Sequence, residues 1–594
     1  MKKDDKKIKN PKKNEDKVKN KSPNKEDKKE SPKKNEDKVK NKSPKKDDKK
    51  LSPKKEDKNE NKNKEDKKEN KKKDDKKENK NKEDKKENKN KEDKKEKPKK
   101  EDELIPDRPE LERIKSQKIN LFCPPETLPS YPRTLFFLYN PNLNENYPIR
   151  TKGKITPYEI ISKKYMMVYK TFSDSSICLK EVMRHNNLIR SKLFEDTNLI
   201  WKIVVVNEMI PLIKTLNKYQ RYNHFPFTWE ISRKDYLYTH YKIMQSKFPK
   251  DFNYIPQSFI LPRDKELVTL LFKDYEFEAD KLFLIRPFGS SKGKEVKFFT
   301  NIENLPKSCI ITHYISNPHL IDNTKYNLRF YVLVTGFCPL KIYLYKEGFA
   351  NFASQKYNFD INEKGLNNKN IHITKHLDNI NQKDEENDSS SSSSSSSNSE
   401  SKYSKNEDNE FGKVICLSEL KKWFKERKLH FSKIKRKIRD IIIKTFISIA
   451  DKGIQQIKEI NINSGNLFEL FGVDIILDNK LRPWLLEINL NPNLNCSSFI
   501  EDKIKSKLIT DTLNIIGLIP YSHDGKYRIY DKEVKYKDNI EEAINETLHE
   551  FERPCGDFKR IFPLIENIDV YSKYIENPGE ENLALWDNIQ KKNK

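Results

Sequence analysis

Two apolar runs joined by a polar turn constrain this chain more than any other stretch: FELFGVDIILDNKLRPWLLEINLNPNLN, residues 468–495. Val473 to Leu477 and Trp484 to Asn489 read as strands, with Asp478, Asn479 and Lys480 as the turn between them. Pairing across a loop of roughly four residues sets Asp474 opposite Glu487. Side chains alternate faces along a strand, so Glu487 and Asn489 share one face and Trp484, Leu486 and Ile488 the other. Asp474, Glu487 and Asn489 then offer three oxygen donors to one point. Hard oxygen donors with few protein contacts suit Mg²⁺, which shares its shell with phosphate groups. A hairpin with a solvated polar face has the same lettering, so the rest of the chain has to decide.

Composition divides that remainder. Residues 1–103 are almost wholly Lys, Glu, Asp and Asn, and they repeat: PKKNEDKVKNKSP at Pro11–Pro23 recurs letter for letter at Pro32–Pro44. Stacking such repeats buries nothing, so a disordered charged tail is expected rather than a solenoid. Polybasic tracts concentrate on polyanions, which leaves a microtubule or nucleic-acid tether open beside a solvated expansion with no specific role. The 594 residues carry a net charge of +28 with only 34% hydrophobic residues, too polar for one uniformly folded chain. A proline-rich linker is expected over 104–132 and a folded domain over 133–520, with a serine-rich acidic insertion at about 376–412. Residues 521–594 read as a polar C-terminal extension, partly helical near Asn539–Phe551. The seven cysteines form no CxxC pair, which argues against a disulfide framework or zinc ribbon and for a reducing compartment. MKKDDKKIKNPKK has no apolar core, so no secretory signal is expected. No apolar run approaches the roughly 18 residues that span a bilayer, so no membrane is expected.

Two further stretches carry chemistry. In KLFLIRPFGSSKGKEV, a strand from Leu282 to Arg286 runs into Gly289, Ser290, Ser291, Lys292 and Gly293. Small residues let backbone N–H groups approach phosphate oxygens, and Arg286 and Lys292 add charge. The Walker A pattern is absent, and a flexible hairpin loop is the alternative. Farther on, Lys325, Asn327, Arg329 and Tyr331 occupy alternate positions, with Tyr326, Leu328, Phe330 and Val332 between them. Two cations over an apolar sheet make a phosphate or carboxylate clamp, or else an edge strand with a wet face. Helices are expected over Ser175–Leu193, from a Ser232 cap to about Gln245, and over Phe431–Ile460 with Ile434, Ile438, Ile441, Ile442 and Phe446 on one face. A closing helix ends at Gly517 and Pro520.

Taken in order, NHFPFTWEISRKDYLYTHYKIMQ (223–245), SNPHLIDNTKYNLRFYVLVTGFCPLKIYLYKEG (316–348) and the 468–495 stretch resemble the tubulin-tyrosine-ligase-like family, and its glutamylating members most. The resemblance covers roughly residues 130–520. It implies an α+β chain with the ATP-grasp fold and an added N-terminal lobe. It implies ATP and Mg²⁺ as cofactors, with Asp474, Glu487 and Asn489 matching the family's metal ligands. Arg286 stands where the family has a phosphate-contacting lysine. Ser290, Ser291, Lys292 and Gly293 match its phosphate-covering loop, and Thr312, His313, Tyr314 and Ile315 its adenine hinge. Lys325 and Arg329 match its catalytic cations that contact nucleotide and acyl group. His372 and Thr374 match the loop bordering the amino-acid pocket.

The departures are specific. Asn327 replaces an aspartate, Asn351 an arginine, Lys375 an asparagine and Glu295 a glycine. With the arginine gone at 351, Lys346 and Lys375 are the candidates to replace its charge. The resemblance implies a ligase that activates a carboxylate as an acyl phosphate and joins it to a free amino acid, glutamate before tyrosine or glycine. The acceptor is expected to be an acidic tubulin tail, with α-tubulin, β-tubulin and a different acidic protein all left open. A monomer on cytoplasmic microtubules, in cilium, flagellum or basal body, is expected, and nucleic acid is not expected as a partner. An inactive family member serving as an ATP- or microtubule-binding scaffold stays open, as does a binder working through its basic tail.

Overall fold

The computed structural model divides the chain into two units, Met1–Pro98 and Lys99–Lys594. The structure describes residues 121–122, 134–140, 167–171, 176–191, 197–202, 206–273, 282–288, 296–299, 302–303, 305–357, 368–372, 374, 413–463, 465–519 and 538–591, all in the second unit. The expected tail, most of the linker, the 376–412 insertion, Glu295, Lys375 and the loop with Ser290, Ser291, Lys292 and Gly293 lie outside the described residues.

Among the described residues, a two-strand antiparallel pairing of Leu121–Phe122 with Leu135–Phe136 and three larger sheets build the unit, in a mixed α/β architecture. A parallel sheet contains β1 (Met167–Thr171), β2 (Leu188–Arg190), β3 (Leu199–Trp201) and β4 (Arg221–Tyr222) in the order β2-β1-β3-β4. An antiparallel sheet contains β5 (Ser258–Leu261), β6 (Phe283–Arg286), β7 (Lys297–Phe298) and β8 (Cys309–His313) in the order β5-β8-β6-β7. The third and largest has β9 (Leu320–Ile321), β10 (Thr324–Phe337), β11 (Leu340–Phe352), β12 (Val414–Cys416), β13 (Glu469–Leu477), β14 (Pro483–Asn489) and β15 (Phe558–Phe562). Its spine runs β12-β11-β10-β13-β14, with β9 on β10 and β15 on β11.

Helices cover both faces of the largest sheet. The described helices used below are α1 (Ile177–His185), α2 (Lys234–Lys247), α3 (Phe431–Ile447), α4 (Ala450–Ile460), α5 (Phe499–Ile516), α6 (Asn539–Glu552) and α7 (Gly579–Lys591). Leu328, Phe330 and Val332 of β10 pack with Ile438, Ile442 and Phe446 of α3 in one core. Tyr331 and Leu333, on the opposite face, pack with Leu508 and Leu513 of α5 and Leu179 of α1 in another. Period-two alternation explains why one strand feeds two cores.

Several expectations change. The helix expected over Ser175–Leu193 is only α1: Asn187 takes a left-handed φ of 59° and turns the chain into β2. Ser232 ends a one-turn helix, and α2 starts after the extended Arg233. The single helix expected over Phe431–Ile460 is two, broken at Ser448–Ile449, where Ser448 Oγ donates to the Thr445 carbonyl at 2.7 Å. Residues 538–591 are not an appendage. β15 joins the sheet beside β11, and α6 places Glu550 in the interior, where it accepts from Thr335 at 2.6 Å, Lys341 at 2.7 Å and Tyr343 at 2.6 Å. Asn582 of α7 bonds the backbone of Phe337 and Leu340. Polar letters misled here because these side chains satisfy each other out of water.

Candidate functional site

A cavity of about 630 Å³ opens between the four-stranded antiparallel sheet and the largest sheet. Alternation along β10 puts Lys325, Asn327 and Arg329 on its wall, while Tyr326, Leu328 and Phe330 go to the core. β13 pairs with β10 so that Arg329 faces Asp474, and with β14 so that Asp474 faces Glu487. A bulge follows, because Ile475 pairs with Leu485 and leaves Leu486 as the extra residue. The expected face of Trp484, Leu486 and Ile488 is corrected by it: Leu485 and Ile488 are buried in the core, and Leu486 lines the cavity beside Glu487 and Asn489.

The acidic cluster is charge-balanced. Arg329 grips Asp474 bidentately, Nε to Oδ1 at 2.5 Å and a terminal nitrogen to Oδ2 at 2.8 Å. Asn489 Nδ2 donates to Asp474 Oδ2 at 3.2 Å, which leaves its amide oxygen to offer a ligand. Lys234 Nζ lies 2.7 Å from Glu487 Oε2. Burial pushes the Asp474 carboxyl up, against the pull of Arg329. Burial also acts to raise Glu487, but Lys234, Arg286 and Arg329 outweigh it and hold that carboxyl at about 2. Burial and the charge of Arg286 lower the Lys325 ammonium to about 7. Two carboxylates and one amide oxygen, backed by cations, fit a hard divalent cation such as Mg²⁺.

The opposite end is aromatic. Tyr314 follows β8, and its hydroxyl takes a hydrogen bond from Lys325 Nζ at 2.8 Å and meets His372 Nδ1 at 2.8 Å. Phe298 lies edge-on to Tyr314 at 5.1 Å and to His372 at 5.2 Å. Thr312, His313, Ile315 and Thr374 line the same wall, and Thr312 Oγ1 accepts from Ser258 at 3.1 Å. Half-buried Arg286 enters from β6, its Nε without a hydrogen-bond partner. Every described residue that the family resemblance matches to a metal, nucleotide or amino-acid site therefore reaches one cavity.

Between the two ends, Asn327 and Asn351 are cross-strand partners, buried to 7% and 4% exposure, and neither side-chain oxygen has a hydrogen-bond partner. Lys346 does not supply charge to this site: its exposed ammonium lies 3.5 Å from Asp557, off the cavity. Lys505 of α5 does line the cavity, buried, 3.2 Å from Glu501. Sequence reasoning assigned no role to Lys505 or Lys234. Lys234 sits in the RKD triplet, 253 residues before Glu487, and only the fold joins them.

The Tubulin-tyrosine ligase family model matches residues 213–525, more than half of the chain. The chain belongs to this family. Within the tubulin-tyrosine ligase family, it is 33% identical over 314 residues to the human (Homo sapiens) tubulin monoglutamylase TTLL4, covering 52% of this chain and 24% of that protein. It is 31% identical over 369 residues to the Mus musculus tubulin polyglutamylase TTLL5, covering 61% and 26%. To the Caenorhabditis briggsae tubulin polyglutamylase ttll-4 it is 28% identical over 408 residues, covering 63% and 64%. The chain spans about a quarter of the length of the first two relatives. The motifs shared with the family include structural ones: His224 of NHFP is buried against Glu469 of FELFG, Nδ1 to Oε1 at 2.7 Å.

Proposed function

We propose that this chain is an ATP-dependent carboxylate–amine ligase of ATP-grasp type that adds glutamate to acidic tubulin tails. The observation that carries this reading is the meeting of Asp474, Glu487 and Asn489 with Lys234, Arg286, Lys325 and Arg329 in one cavity. Asp474, Glu487 and Asn489 would hold Mg²⁺, which disperses charge on the terminal phosphates when bound. Arg329 fixes the Asp474 carboxylate in place, and Lys234 does the same for Glu487. Arg286 and Lys325 supply the positive field for phosphate oxygens, with the loop carrying Ser290, Ser291, Lys292 and Gly293 as cover. The aromatic wall of Phe298, Tyr314 and His372, with Thr312, His313 and Ile315, suits a purine base.

The chemistry runs in two steps. The acceptor carboxylate takes the γ-phosphoryl group, giving an acyl phosphate and ADP. The free amino acid's amine then attacks the acyl carbon, phosphate leaves, and an amide forms with loss of the amine proton. Arg329 and Lys325 stabilise the negative charge that develops, and His372 and Thr374 border the amino-acid side. We place the protein, as a monomer, on cytoplasmic microtubules; among the described residues no helix is long and apolar enough to cross a membrane.

The neutral Asn327–Asn351 pair favours a second reading, an inactive nucleotide-binding scaffold. Labelled glutamate, tyrosine and glycine offered separately with Mg-ATP to purified microtubules decide between them. Glutamate incorporation that falls about 100-fold or more in Glu487→Gln supports the ligase. Label from tyrosine or glycine alone changes the amino acid. Mg-ATP binding with no label from any of the three leaves the scaffold.

A further inference from the structure

Among the described residues, one cluster of metal-ligating groups lies away from the cavity's acids: Cys178, Cys496 and Asp502. The two sulfur atoms and a carboxylate oxygen all lie within 4.8 Å of one another. Cys178 is on the first turn of α1, Asp502 on the first turn of α5, and Cys496 in the segment between β14 and α5. Cys178 and Asp502 are 4% and 1% exposed, and Cys496 is half-buried. Leu179, Leu494, Ile504 and Leu508 pack around them in one core, so the three groups are carried on a rigid frame. Ser176 Oγ donates to the Leu494 carbonyl at 2.8 Å, fixing the segment before Cys496 against the start of α1.

We propose that Cys178, Cys496 and Asp502 bind a zinc ion that ties α1 and α5 to the segment following β14. Two thiolates and a carboxylate form a donor set zinc accepts, and the sulfurs disfavour Mg²⁺ or Ca²⁺. Tetrahedral zinc with bonds of about 2.3 Å to sulfur spaces its ligands by about 3.8 Å, so the cluster closes with shifts of at most about 1 Å. Three protein ligands leave a fourth position for water. Binding replaces the protons of both thiols: two thiols and Zn²⁺ give a zinc dithiolate and two protons, with no change of oxidation state. The site escapes a search for CxxC spacing because its ligands come from three separate segments.

The ion would bear on the cavity as well. Leu490, Asn491, Pro492 and Asn493 line the cavity between Asn489 and Cys496, so zinc would anchor the far end of that wall. The test uses the untagged full chain under reducing conditions, dialysed against zinc and passed over a sizing column. One zinc per chain is expected. Retention should fall at least about 100-fold in Cys178→Ser and in Cys496→Ser, and stay unchanged in Cys555→Ser, whose thiol is exposed elsewhere. Cobalt in place of zinc should give the intense visible bands of a tetrahedral site and a thiolate charge-transfer band, both lost in either serine variant. The cobalt spectrum of the unmodified chain reads the site even where a variant folds poorly. No retained metal in the unmodified chain, equal retention by the Cys178→Ser/Cys496→Ser double variant, or a Cys178–Cys496 disulfide under the same conditions would overturn the proposal.

Discussion

Two neighbouring parts of the β10 wall follow opposite rules. At Arg329 the groups are matched: the guanidinium holds Asp474, and Lys234 holds the facing Glu487. Two residues earlier on the same face, Asn327 meets Asn351 across the strands, and both buried amide oxygens lack partners. The paired end keeps its geometry before any ligand arrives. The neutral end instead holds unused hydrogen-bonding capacity, which only a ligand or water in the cavity can meet.

Substitutions can break or sharpen that contrast. The largest effect is expected for Arg329→Ala, which leaves Asp474 buried without its cation and costs about 3–5 kcal/mol of stability. Urea denaturation reads it, and a loss under about 1 kcal/mol would mean the paired end is not preorganised by this bond. Next comes Lys325, whose ammonium burial and Arg286 lower to about 7. Unfolded, a lysine keeps its proton to about 10.4, so between those values the unfolded chain binds more protons and stability rises with pH. A bound phosphate restores the proton, so Mg-ATP affinity should fall above pH 7, by up to about tenfold per unit. Lys325→Met should flatten both slopes, which calorimetry across pH 6 to 9 would follow. The smallest effect belongs to Asn351→Ala. Its oxygen already lacks a partner, so stability should change by less than about 1 kcal/mol while the amino-acid KM moves. A larger loss of stability with unchanged KM would show that the asparagine pair serves the sheet rather than a ligand.

How much of this was legible follows from how local each feature is. The faces of β10 and the pairing of Asp474 with Glu487 were readable, because both depend on period two and a short turn. The bulge at Leu486 was not, since WLLEIN alternates acceptably in either register and the choice is made by β13. Lys234 was hidden by sequence distance, and α6 by its polarity: Glu550 reads as a solvated acid until Lys341, Thr335 and Tyr343 surround it. The resemblance supplied the assignment of roles to Arg286, Thr312 and His372, which no spacing rule gives. It could not say that the residues replacing an aspartate and an arginine, Asn327 and Asn351, touch the same rung of the sheet.

The Glu550 contact also sets a timetable. Lys341 leaves the ribosome 209 residues ahead of the carboxylate that neutralises it. At about 5–20 residues per second, that interval is roughly 10–40 seconds. Throughout it the central hairpin of β10 and β11 has an interior cation with no counter-charge and, at β11, an edge that β15 has yet to cover. The largest sheet is therefore completed late in synthesis, and until then its half-made edge is what chaperones must shield.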